Sequence, residues 1–155
     1  MQLDNIGRWL LMAAAGILLV AMMMLTVVDV IGRYVFAAPV AGAFEATEIM
    51  LALSIFAGLP IVTARGEHVS VRLLVERFPV PLQRALDVFS DVVVAVLLAG
   101  AAWLLYQRGA SLARFGDSTV LLRIPLAPVA FALAFLSAAA AVVATVKTVR
   151  MALRR

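Results

Sequence analysis

Four stretches of this chain run without a charged residue for long enough to matter to a bilayer. They are Trp9–Val28 (20 residues), Ile49–Ala64 (16), Val92–Gln107 (16) and Ile124–Val146 (23). A helix needs about 20 mostly apolar residues to cross ~30 Å of hydrocarbon. Two runs meet that length. The two of 16 rise only about 24 Å, so each helix must continue through charged residues at one end. The expected fold class is an all-α integral membrane protein with four transmembrane helices and a short cytoplasmic interfacial helix. The spans fall at about 9–30, 43–64, 81–107 and 124–147 in a single domain covering residues 1–155. Composition agrees: 65% of the residues are hydrophobic and 14% charged, against roughly 45–50% and 25% in soluble domains.

The first run exceeds the 7–15-residue apolar core of a signal peptide. The small-residue pattern Ala41-Gly42-Ala43 lies well beyond it, after Asp29 and Arg33, so an uncleaved first span is expected. Lysines and arginines set the orientation. With four spans both termini share a side. That side holds Arg8, Arg65, Arg72, Arg77, Arg84, Lys147, Arg150, Arg154 and Arg155, nine in all; the other holds Arg33, Arg108, Arg114 and Arg123, four in all. Nine against four places the termini and the middle loop in the cytoplasm. The net charge of +4 therefore reflects membrane topology and lipid contact rather than nucleic-acid binding.

Between the second and third spans, Val71, Leu74, Val75 and Phe78 share one helical face, predicting an interfacial segment at about 68–78. Alternation of Val69, Val71, Leu73 and Val75 also fits a strand, but a lone strand at a membrane surface leaves backbone groups unpaired. Pro79-Val80-Pro81 ends the segment and starts the third helix. Arg65 and His68 are candidates for ordering this cytoplasmic turn. Within the spans, Thr26, Ser54, Thr63, Ser137 and Thr145 can bond back to their own helices, and Pro60 predicts a kink. Ala134, Ala138 and Ala141 recur at helical spacing and permit close helix approach. The Met22-Met23-Met24 run reads as adaptable packing.

Several chemistries are excluded. No cysteine is present, so disulfides, thiolate metal sites and thiol redox chemistry are out; a single histidine, His68, forbids a bis-histidine haem. No ionisable residue lies at mid-membrane depth, where an enzyme or self-sufficient proton-coupled transporter would want one. Glu45 and Glu48 lie near the outer end of span two, and Asp87 and Asp91 near the inner end of span three, too far apart for paired-carboxylate catalysis. The chain reads as a non-enzymatic subunit with no catalytic, cofactor or metal site of its own. Asp29, Arg33, Glu45 and Glu48, gathered at the outer ends of the first two spans, are the candidates for a partner interface. Asp29 and Arg33 stand at i, i+4 and predict a local ion pair; Arg33 also suits steering of a docked protein. The alternative class, an autonomous small four-span exporter acting as a dimer, calls for a glutamate within span one, and none is there.

The stretch from Asp29 to Phe36, followed by Pro39, Gly42, Glu45 and Glu48, resembles the small membrane subunit, the DctQ type, of tripartite ATP-independent periplasmic (TRAP) transporters. So do Arg65-Gly66-Glu67-His68-Val69-Ser70-Val71 and Gly116-Asp117-Ser118-Thr119-Val120-Leu121-Leu122-Arg123-Ile124-Pro125. The resemblance implies a bacterial inner-membrane scaffold subunit beside a large TRAP membrane subunit, which holds the substrate and sodium sites. It also implies a periplasmic substrate-binding protein that delivers an organic acid, with uptake coupled to an ion gradient.

Overall fold

A computed structural model describes residues 2–65 and 79–153. The expected interfacial segment at 68–78, with His68, lies outside the described residues. Four helices account for nearly everything described: α1 (Gln2–Val35), α2 (Ala43–Arg65), α3 (Val80–Phe115) and α4 (Leu126–Leu153). All four are long and apolar enough to cross a membrane. There is no strand among the described residues, only an isolated antiparallel bridge between Ser118 and Pro125.

The helices outrun the apolar stretches that define the spans. α1 has 34 residues and α3 has 36, or about 51 and 54 Å of rise. Hydrocarbon thickness limits the uncharged run; the helix itself continues into water through charged residues. α3 starts beside Pro79, with proline in its first turn, and ends at Gly116. Backbone N–H groups of Gly116 and Asp117 both return to the Leu112 carbonyl, satisfying one of the orphan acceptors at the helix end. α2 passes through Pro60 without interruption.

The packing order is α1–α2–α4–α3. α1 packs on α2, α2 on α4 and α4 on α3, and no other helix pair makes more than marginal contact. Loops 36–42 and 116–125 make α1–α2 and α3–α4 into two antiparallel hairpins. Their second helices, α2 and α4, run parallel and meet in the middle. The result is a row one helix thick, with both loops at one end (the hairpin end) and both chain termini at the other (the terminal end). Accessible surface is 11108 Å², while a compact protein of 16.5 kDa would expose about 7,500 Å². The excess is mostly apolar side chain, available to lipid or to other protein.

The outer helices are held by narrow seams. On α1 the half-buried positions are Arg8, Leu11, Ala15, Leu18, Met22, Leu25, Asp29 and Gly32. These alternate in steps of three and four, the seam of a left-handed helix pair, and the rest of α1 from Gly7 onward is exposed. Met22 belongs to the seam, while Met23 and Met24 face out. α3 repeats the pattern through Val88, Asp91, Ala95, Leu98, Ala102, Leu105, Gly109 and Leu112. In the most apolar stretches of α1 and α3 no residue is buried, against 28% and 33% in α2 and α4.

Buried positions on the inner helices are mostly small: Ser54, Ala57 and Thr63 with Ile61 on α2, and Ala130, Ala134, Ser137, Ala140, Ala141 and Ala144 on α4. Small side chains let membrane helices approach closely where no hydrophobic drive separates protein from lipid. One expected member of the α4 stripe is different. Ala138 is exposed and Ser137 takes the enclosed place, because the adjoining helices pack from that side. Gly109 marks a close α3–α4 approach; a Cβ there would stand 2.9 Å from the Phe131 ring. Tyr106 packs on the same ring at 5.7 Å.

Threonines 26, 63 and 145 donate to the carbonyl four residues back, at 2.7–2.9 Å. Ser137 does not. It is fully enclosed and its hydroxyl has no partner; no described bond reaches Ser54 either. Near the terminal end, Lys147 Nζ donates to Asp91 Oδ1 at 3.0 Å, both side chains mostly covered. Each is the first charge beyond the apolar run of its helix, so antiparallel packing brings them to one depth.

Two expectations concern stability. Ser137→Ala removes an unsatisfied hydroxyl and is expected to leave stability unchanged or raise it by about 1 kcal/mol, read from thermal unfolding in detergent. Lys147→Leu strands a mostly covered carboxylate and is expected to cost about 1–3 kcal/mol. The double variant Asp91→Leu with Lys147→Leu should cost less than either single change; equal or additive losses would contradict a paired role.

Candidate functional site: the cap at the hairpin end

All four predicted interface residues lie at the hairpin end, on the last turns of α1 and the first of α2. The structure assigns them different work. Asp29, set by the α1 seam against α2, has both oxygens engaged. Oδ2 accepts from Arg33 Nη2 at 2.8 Å, the predicted i, i+4 pair. Oδ1 accepts from the Val40 N–H at 2.9 Å, pinning the loop back onto the helix it has just left. Arg33 stays 59% exposed despite the pair, against 15% for Asp29. One guanidinium edge faces the carboxylate and the remainder is open.

Glu45, in the first turn of α2, reaches across to the other hairpin. Oε1 accepts from the Leu121 N–H at 2.8 Å and Oε2 from the Leu122 N–H at 2.9 Å. The segment it holds is locally built to be held. Thr119 N–H donates to the Ile124 carbonyl, and Ile124 N–H to Thr119 Oγ1, both at 3.0 Å. Leu126 N–H closes the base on the Asp117 carbonyl. Arg123 takes a left-handed conformation with φ of 52°. The tight loop turns successive backbone N–H groups to one side, a concavity suited to an anion, and Glu45 fills it. Gly42 lies beneath with φ of 79°. A Cβ there would stand 2.4 Å from Leu122, so both conformation and space require glycine.

Glu48 is exposed and makes no ion pair or hydrogen bond among the described residues. Arg108, Arg114 and Arg123 are likewise exposed. Tyr34, Phe36, Phe44 and Phe115 also stand open around the cap, and Val120 at the loop tip is 88% exposed. Tyr34 has the amphipathic ring that favours the membrane–water boundary. Of the turn candidates, Arg65 ends α2 and His68 lies outside the described residues.

The backbone partners of Asp29 and Glu45 carry no sequence signal, because every residue except proline offers an N–H. The Asp91–Lys147 pair did carry one, in the matched ends of two apolar runs.

These features define a multi-pass membrane protein whose polar chemistry is gathered at its ends and whose broad apolar faces await other company. The family model described as "Tripartite ATP-independent periplasmic transporters, DctQ component" matches residues 22–154, and the chain belongs to that family. It is thus the small membrane component of a TRAP transporter, in the inner membrane. No individual curated protein matches the chain closely enough to add a relative to that finding.

The cap yields one prediction. Glu45→Gln keeps the shape and removes the charge that two amides bind; Glu45→Ala removes both. Limited trypsin digestion after Arg123 is expected to quicken several-fold in the alanine variant and less in the glutamine variant. Equal cleavage in all three proteins would show that the loop holds itself.

Proposed function

We propose that this chain is the static scaffold of its transporter. It supports a large membrane subunit that carries the substrate and sodium sites, and it offers its cap to a periplasmic substrate-binding protein. On this reading the hairpin end faces the periplasm and the termini face the cytoplasm, as nine basic residues against four favour. The transported solute is an organic acid, taken up on a sodium gradient. The observation that carries the scaffold role is the single-layer order α1–α2–α4–α3. A row one helix thick encloses no path of its own and leaves wide apolar faces for a larger neighbour.

Docking at the cap is supported by Arg33, whose guanidinium remains open after pairing with Asp29. Exposed rim charges act mainly on encounter rates and on salt dependence. Arg33→Glu is therefore expected to slow uptake at limiting binding protein, with part of the loss recovered when binding protein is raised. Membrane abundance of the transporter, measured in the same cells, should stay constant. Unchanged uptake at unchanged abundance would remove Arg33 from docking and leave it a helix-end ion pair.

A further inference from the structure

Carboxylates at the hairpin end divide by what satisfies them. Asp29 and Glu45 are bound within the chain, and Asp117 sits in the exposed loop beyond α3. Of the carboxylates at the hairpin end, Glu48 alone is on a membrane helix, exposed and without a partner among the described residues. From Ala43 to Thr63, the only exposed positions of α2 are Phe44, Glu48, Leu51 and Ile55, in steps of four, three and four. That is a stripe along one side of the first half of the helix, the half nearer the hairpin end. The uncharged run that starts after Glu48 rises about 24 Å, short of the ~30 Å hydrocarbon layer. Glu48 therefore stands at the hydrocarbon edge with Phe44 above and Leu51 below it. An ionisable side chain in that position is costly unless a partner meets it.

We propose that this stripe is where a helix of the large membrane subunit seats, and that the helix brings a lysine or arginine to the depth of Glu48. The proposal rests on the scaffold reading above and adds the location and chemistry of the contact. The exposed stripe of α4 serves as the contrast. Phe135, Val142, Val146 and Val149 lie open there with no charge among them, a surface that lipid alone satisfies.

The chain has no cysteine, so a single introduced cysteine is its one attachment point for a benzophenone photocrosslinker, and crosslinks are read on the tagged chain against the unsubstituted chain. In native membranes, Leu51→Cys and Ile55→Cys are expected to crosslink to the large subunit, and Val142→Cys to lipid. In a parallel pull-down on the tagged chain, Glu48→Lys is expected to weaken recovery of the large subunit by about thirtyfold, and Glu48→Gln by less. Chain abundance and thermal stability should not change. Reversing the matching basic residue of the large subunit to glutamate should restore binding to the Glu48→Lys chain. Crosslinks from positions 51 and 55 that go only to lipid, or full recovery with Glu48→Lys, would overturn the proposal while leaving the scaffold reading intact. Failure of the wild-type chain to recover any large subunit would overturn both.

Discussion

Two helical hairpins meet along one seam, α2 against α4, in a solvent that gives apolar surfaces no reason to prefer protein over lipid. Close approach must do that work, and the inner helices supply it by placing alanines, serine and threonine where side chains would otherwise hold them apart. The described polar link between the hairpins is the Glu45 carboxylate on the Leu121 and Leu122 amides. Its ionised form suits two amide donors. The loop it grips would otherwise leave those donors pointing over the neighbouring hairpin with no acceptor. Packing sets the seam along the membrane; the carboxylate fixes its register at one end.

The fold class was legible because a bilayer imposes a length on every apolar run. Four runs, their bounding charges and the proline before α3 placed the elements. The order of the row was not legible, since hydropathy says that a helix is covered and not by what. The same limit divides Glu45 from Glu48. They stand three residues apart near one helix start and look alike in sequence. What separates them is a loop 76 and 77 residues further on, whose contribution is backbone and so leaves no side-chain trace. Asp29 and Arg33 were readable as a pair because i, i+4 spacing is local, but the grip of Asp29 on the Val40 amide was not. Ser137 and Ala138 show the scale of the ambiguity inside a span. Steps of three and four both keep a residue on the same side of a helix, so spacing from Ala134 admits either neighbour, and only the direction from which the adjoining helices pack decides which one is enclosed.

The hairpins are secured unequally. α3–α4 is pinned at the cap, at the Gly109–Phe131 approach and again by Asp91–Lys147 near the terminal end. α1–α2 has the Asp29 contacts at the cap and, beyond them, a seam of half-covered side chains. The open arginine and the loop tip lie at the well-tied end, with the exposed Glu48 just below them.

A row one helix thick also has mechanical directions. Along the helix axes it behaves as a set of struts, since sliding one helix past its neighbour means lifting a whole line of interlocked side chains out of register. Across the axes it behaves as a ribbon, since bending opens a seam only slightly and no second layer resists. Such a body holds its height in the bilayer under a load along the membrane normal, while its curvature in the membrane plane is free to follow whatever it leans on.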